Sequence, residues 1–281
     1  MSRRAPQPAG FPVRAAGPGA ALPAGPRRVL ITGGARGLGR AFALDLAAAG
    51  WEVAVVDRNL AGHLEFPEEA AGAPIREALD AYPGAHVVFE ADTTDPDRLA
   101  EITADLADRW GALDALVCNA GGGSGDLLGN RASALDLADL RDVLERNLVG
   151  TVATVHAALP LLSAGEEPAI ITMSSLNGVE PTATGSYAHY GIAKAAVAHY
   201  SRYLARDLGP RGIRVNCLAP GPIATGRLLH RMAESPTANQ SVRNALGRTG
   251  TVEDVVPLVR FLISPEAGYL TGQIIRIDGG L

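Results

Sequence analysis

The stretch SYAHYGIAK, from Ser186 to Lys194, places two tyrosines close before one lysine. Read as a helix, it puts Tyr190 and Lys194 four positions apart on one face, so the ammonium can lie against the phenol from one turn away. Tyr187 meets Gly191 at the matching position and gains no such partner. A phenol loses its proton near pH 10 and a lysine near about 10.4, so the pair serves as a neutral-pH acid or base only if the tyrosine is lowered by roughly three units. That requires a pocket, a cofactor and further polar groups, which the remaining sequence has to supply.

A second stretch with chemical potential is LITGGARGLGR, which directly follows an apolar run and opens a helical pattern. Gly33, Gly37 and Gly39 let the backbone turn tightly and approach a pyrophosphate at a helix N-terminus. The next apolar run, WEVAVVD, ends in Asp57, 18 residues beyond Gly39. A carboxylate there accepts hydrogen bonds from an adenosine ribose and repels a 2′-phosphate, which favours NAD over NADP. Arg36 and Arg58 pull the other way, since either could pair with a 2′-phosphate; Asp57 is weighed more heavily because the ribose itself needs a carboxylate.

The elements that must position these groups follow from the wider pattern. Short apolar runs (RVLIT, EVAVVD, LDALVC, AIITM, IRVNCLAP) alternate with longer helical periods (GRAFALDLAAAG, DRLAEITADLADRWG, DLRDVLERNLVGTVATVHAALPLL). Strands that read as continuous Val, Ile and Ala are buried on both faces of a parallel sheet. The expected class is α/β: a Rossmann-type doubly wound parallel sheet of about seven strands with helices on both faces. No internal repeat or interdomain linker interrupts the chain, so one domain is expected over residues 27–281. Residues 1–26, rich in Pro, Ala and Gly, read as a disordered tail. Arg3 and Arg4 resemble an export signal, but no continuous apolar segment follows them.

Bulk properties narrow the partners. The 281 residues are 47% apolar with a formal net charge of -5. Mixed charge offers no basic stripe for nucleic acid, and no apolar run approaches the roughly 20 residues that cross a membrane. Cys118 and Cys217 each end an apolar run and read as buried thiols in a reducing, cytoplasmic setting. Without CxxC, HxxxH or HExxH spacing, no metal site is expected. Small molecules and copies of the chain itself are the expected partners.

With the glycine turn, NAG at Asn119 to Gly121 and Tyr190-x-x-x-Lys194, the chain resembles the classical short-chain dehydrogenase/reductase family from Arg27 to Leu281. The resemblance implies that Thr32, Gly33, Gly37 and Gly39 form the TGxxxGxG turn with Leu38 inside it. It places Asp92 and Thr93 at the adenine and Asn119, Ala120 and Gly121 beside the cofactor. It gives Pro220, Gly221, Ile223 and Thr225 the nicotinamide side, and lets Tyr190 and Lys194 touch the ribose. It further implies four catalytic residues: Tyr190 exchanges a proton with the substrate oxygen, Ser175 holds that oxygen, Lys194 lowers the tyrosine's pKa, and Asn147 feeds protons through water to Lys194. The implied activity is NAD-dependent interconversion of a secondary alcohol and a ketone, in a homotetramer whose long helices pair across two-fold axes.

Two features depart from the family pattern. Ser175 and Tyr190 are 15 positions apart, slightly more than is common, which leaves room for LNGVEPTATGS to bulge into the site. The segment between Asp57 and Asp92 is long and weakly resembles that of members similar to carveol dehydrogenases, where an insertion covers the cofactor. An ordinary surface excursion is the preferred reading of it. The stretch after Thr225, with Leu228, Leu229 and Met232 among Arg227, His230 and Arg231, is expected to form a mobile lid. Alternatives to the dehydrogenase reading are a catalytically silent NAD-binding protein, a cofactor-retaining enzyme with a dedicated redox partner, and a nucleotide-sugar epimerase, for which the residues after Gly221 leave little room.

Overall fold

Apolar runs become strands of one parallel sheet in the computed structural model, which describes residues 25–234 and 244–281. The strands are β1 (Arg28–Thr32), β2 (Glu52–Asp57), β3 (Val87–Glu90), β4 (Ala115–Cys118), β5 (Ala169–Met173), β6 (Arg214–Pro220) and β7 (Ile274–Ile277). Their order across the sheet is β3-β2-β1-β4-β5-β6-β7. The seven-stranded α/β expectation therefore holds. The helices are α1 (Gly37–Ala48), α2 (Ile75–Asp80), α3 (Pro96–Trp110), α4 (Leu137–Leu144), α5 (Gly150–Ser163), α6 (Ala188–Leu208), α7 (Gly226–Glu234) and α8 (Val256–Leu262).

Alternation along each strand feeds two separate cores, one per face of the sheet. Val29 and Ile31 of β1 with Val53 and Val55 of β2 pack against Phe42 and Leu46 of α1 and Val259 and Leu262 of α8. Leu30, Ala54 and Val56 point the other way, onto Ile102 and Leu106 of α3, Leu161 and Leu162 of α5 and Leu208 of α6. Local signals set the helix ends. Asp95 accepts from Arg98 N at 3.0 Å ahead of Pro96, and Gly111, at φ 73°, ends α3 in the left-handed conformation. Both cysteines are buried free thiols, and burial pushes Cys118 up to about 12.

Strand order reverses between β1 and β4, whose ends are in register at Thr32 and Cys118. Ligands of such sheets sit in the crevice beyond the carboxyl ends of these strands. The tail expectation falls almost wholly on residues 1–24, outside the described residues; Arg27 is tied down by a 2.9 Å hydrogen bond to Ile263 O and stacks on Trp51 at 4.5 Å. No helix among the described residues is long and apolar enough to cross a membrane.

Candidate active site

Two adjoining cavities open at the strand reversal, one of about 230 Å³ over the glycine turn and one of about 340 Å³ beside Tyr190. Gly33 turns out of β1 at φ +66°, and its N–H donates to Val56 O at 2.7 Å. A β-carbon there would stand 2.8 Å from Ala120 Cα, so the loops after β1 and β4 can meet only with glycine at this position. Asn119 Nδ2 closes the contact by donating to Gly33 O at 2.9 Å, and Ala120 N donates to Thr32 Oγ1 at 3.2 Å.

The smaller cavity is lined by Gly33, Arg36, Gly37, Leu38, Asp57, Arg58, Asp92, Thr93, Asn119, Ala120, Gly121 and Thr225, all expected from the sequence. Thr32 and Gly39 do not line it and act through the turn's packing. Asp57 ends β2 and accepts from Ala35 N at 2.9 Å and Asn59 N at 3.1 Å. Arg36 is drawn aside, paired with Glu65 at 3.2 Å and lying 5.0 Å over Phe66, while Arg58 stays exposed.

Glu69 and Arg146 also line this cavity and were not found by sequence reasoning. Glu69 overturns the surface-excursion reading of the segment after Asp57. Its Oε2 accepts from Gly37 N at 3.1 Å and its Oε1 from Gly226 N at 2.8 Å. One carboxylate thus sits on the first N–H groups of α1 and α7, where helix ends attract anions. Phe66 from the same segment meets His230 of α7 with ring centroids 5.6 Å apart. That an acidic side chain already occupies these N–H groups shows the place suits an oxyanion such as a dinucleotide's pyrophosphate. No motif marks Glu69; only its fold-back onto two helix starts reveals it.

The larger cavity gathers Ser175, Tyr190, Lys194, Pro220, Gly221, Ile223 and Thr225. Tyr190 and Lys194 share one face of α6 as their spacing required, with Lys194 Nζ 5.9 Å from the Tyr190 ring centroid and donating to Met173 O at 2.7 Å. Ser174 Oγ donates to Lys194 O at 2.7 Å and so pins α6 to the end of β5. Burial raises the Tyr190 phenol above its ordinary value, and its hydrogen bond to Ser175 pulls it partly back. The lowering that the chemistry requires is therefore not delivered by the protein's side chains alone. Burial lowers Lys194 to about 8.

Tyr187 immediately precedes α6 at φ 58°, and its ring lies 5.2 Å from that of Tyr190. It enters the cavity with its hydroxyl bound by Arg231. Of the loop LNGVEPTATGS, Leu176 and Asn177 line the larger cavity, whereas residues 178–186 line neither, and Ser186 Oγ holds the far end back by donating to Leu127 O at 2.9 Å.

Asn147 lines neither cavity. It lies in a π-helical turn, Glu145–Val149, that joins α4 to α5. Its side chain clamps the backbone of Gly122, accepting from the N–H at 2.9 Å and donating to the carbonyl at 3.0 Å, and donates again to Val143 O at 2.8 Å. A β-carbon at Gly121 would collide with Asn147 Oδ1 and stand 3.5 Å from Lys194 Nζ, so the two side chains face each other across that glycine. Of the segment expected to form a mobile lid, α7 brings Arg227, Leu228 and Arg231 to the wall of the larger cavity; residues 235–243 lie outside the described residues.

A family profile described as Enoyl-(Acyl carrier protein) reductase matches residues 33–281. The chain is 43% identical over 265 residues to cyclohexanol dehydrogenase of Rhodococcus sp. strain TK6, covering 92% of this chain and 97% of that one. Among solved structures, a short chain dehydrogenase from Mycobacterium paratuberculosis bound to NAD superposes with a TM-score of 0.76 at 30% identity, over 90% of this chain and 97% of that one. A short chain dehydrogenase from Burkholderia cenocepacia J2315 in complex with NADP gives 0.75 at 30% identity, over the same shares.

The lowered Lys194 has a measurable consequence for stability. Its folded pKa lies below the unfolded value, so the buried charge opposes folding in full below about 8, and that cost fades as pH rises toward 10.5. Lys194→Met removes it. In the cofactor-free protein, the melting temperature of Lys194→Met relative to wild type is expected to fall as pH rises across that window, as followed by thermal denaturation; a constant difference would mean that folding does not lower the pKa of Lys194.

Matching profile, sheet order and cavity geometry together place the chain in the classical short-chain dehydrogenase/reductase family of oxidoreductases.

Proposed function

We propose that this protein interconverts a secondary alcohol and a ketone with NAD, using Tyr190 as general acid and base. The observation that carries this reading is the convergence of Ser175, Tyr190 and Lys194 on a cavity that adjoins the glycine turn. Cyclohexanol, the substrate in the name of one relative, is the first alcohol to test.

When bound, the nicotinamide supplies the hydride acceptor or donor. The Ser175 hydroxyl, already on the Tyr190 phenol, fixes the substrate oxygen beside it. Tyr190 takes the alcohol proton during oxidation and returns it during reduction. Lys194, anchored on Met173 O, steadies the phenolate through its charge and reaches the ribose. Beyond it, across Gly121, Asn147 holds the inner end of the route by which protons leave. The oxygens of Asp57, fixed by Ala35 and Asn59 N–H groups, receive the adenosine ribose and disfavour a 2′-phosphate. Arg36 is engaged by Glu65 and so is drawn away from a phosphate at that position.

The fold-over of Glu69 and Phe66 supports a second reading, in which the enclosed cofactor is retained between turnovers and a dedicated partner reoxidises it. Nucleotide released on denaturing protein purified without added cofactor, and failing to exchange with labelled NAD beforehand, would favour it. Val149 at the end of the π-helical turn, Val152 at the start of α5 and Ile192 and Tyr203 on α6 are exposed apolar groups on the segments that pair in the proposed homotetramer. Light scattering at micromolar concentration should give the mass of four chains; a clean monomer contradicts this.

Two further outcomes are expected. Titrations followed by nicotinamide fluorescence should favour NADH over NADPH by about ten-fold or more, equivalent to about 1.4 kcal/mol, and Asp57→Ala should narrow the gap. Equal affinities in wild type would show that an arginine dominates. Tyr190→Phe should lower kcat for cyclohexanol by roughly 10² or more with little change in cofactor affinity, while Tyr187→Phe stays active. If both variants remain active, the mechanism fails.

A further inference from the structure

The cavity beside Tyr190 has a charge pattern that a neutral alcohol does not call for. Among the described residues its wall carries Lys194, Arg227 and Arg231 and no Asp or Glu. Arg231 donates one Nη1 hydrogen to the Tyr187 hydroxyl and one Nη2 hydrogen to Gly123 O, the latter at 3.2 Å. A guanidinium has five donors, so three remain for a ligand. Arg227 occupies the space left by Gly122, where φ is +134° and a β-carbon would collide with its Nη1. Among the described residues, neither guanidinium is paired with a carboxylate. Burial lowers the Arg227 pKa, and the charges of Arg36 and Arg231 lower it further.

Cations gathered in a partly dry wall without a counter-charge are costly unless a ligand supplies the anion. The cofactor can satisfy Arg227, which lines both cavities, but Arg231 lines only the one beside Tyr190. The guanidinium carbon of Arg231 is 5.4 Å from the Tyr187 ring centroid, itself 5.2 Å from that of Tyr190. Those two steps in series put the charge within one small molecule's length of the proposed reacting oxygen.

We infer that the substrate carries its own carboxylate, seated on the free edge of Arg231 with Arg227 beside it, while its alcohol or ketone carbon faces Tyr190. The substrate class is thus a small hydroxy acid or keto acid with a spacer about the size of one ring, in keeping with the cavity's roughly 340 Å³. A planar guanidinium matches a carboxylate in a two-bond fork, which fixes orientation as well as charge. This inference rests on the oxidoreductase reading above, and its test separates the two.

The full chain with NAD would be assayed on cyclohexanol and on 4-hydroxycyclohexanecarboxylate. Binding of cyclohexanone and 4-oxocyclohexanecarboxylate in the presence of NADH would be measured by calorimetry. The acid should exceed the neutral alcohol in kcat/KM by about ten-fold or more, mostly through KM, and the ratio should shrink with added salt. Arg231→Met should raise KM for the acid until the ratio is lost, Arg231→Lys should restore part of it, and the NAD dissociation constant should hold in both. An equal or reversed ratio in wild type, or one that survives in Arg231→Met, overturns the inference. So does weakened NAD binding in Arg231→Met, which would assign this guanidinium to the cofactor. If neither alcohol turns over but the keto acid binds with the same dependence on Arg231, the anion site stands and the alcohol chemistry falls. If the keto acid binds no better than cyclohexanone, the anion site falls.

Discussion

Backbone contact between Gly33 and Ala120 is the constraint on which the rest of the site depends. The loops after β1 and β4 leave the sheet at its reversal and must cross within van der Waals distance. The Gly33 turn, the Asn119 side chain and the Thr32 hydroxyl together hold them there. From that crossing, one loop runs on to start α1 and presents N–H groups to an anion, and the other runs on to Gly122, where Asn147 grips it. Both cavities are consequences of a single close approach: one lies on the α1 side of the crossing and the other on the α6 side.

The π-helical turn between α4 and α5 belongs to the same construction. A regular α-helix would carry Asn147 past the loop. The extra residue in the turn, seen in the Gly150 N to Glu145 O hydrogen bond, swings the amide inward to where it can bond both the N–H and the carbonyl of Gly122. Such single-turn bulges inside α-helices are frequent at functional sites. The amide is buried and its hydrogen bonds are made inside the protein, to Gly122 and Val143.

Much of this was legible in the sequence, for identifiable reasons. Continuous apolar runs set the strands, since a strand buried on both faces tolerates little else. Spacing of four joined Tyr190 to Lys194, and a strand-end carboxylate marked Asp57. Glu69 was not legible, because nothing local distinguishes it from the neighbouring Glu68 in a stretch of turns; its role comes from contacts with Gly37 and Gly226, 32 and 157 residues away. The inward placement of the Tyr187 hydroxyl and of Arg227 was hidden for a similar reason. Each fills space that a side chain at Gly123 or Gly122 would take, which sequence patterns report only as a turn. The pKa of Tyr190 was the clearest difference, because burial by itself works against a phenolate.

For a nucleotide whose pyrophosphate seeks the starts of α1 and α7, Glu69 would make entry an exchange between anions. Its two oxygens hold the starts of α1 and α7 together, so a pyrophosphate can take those N–H groups only as the carboxylate leaves them. The number of hydrogen bonds at the helix ends is then nearly conserved, and affinity becomes a difference between two anions competing for one cradle. The internal competitor is tethered and acts at a high effective concentration. Releasing it would also remove one of the two contacts, beside that of Phe66 with His230, by which the segment after Asp57 meets the helix that carries Arg227 and Arg231.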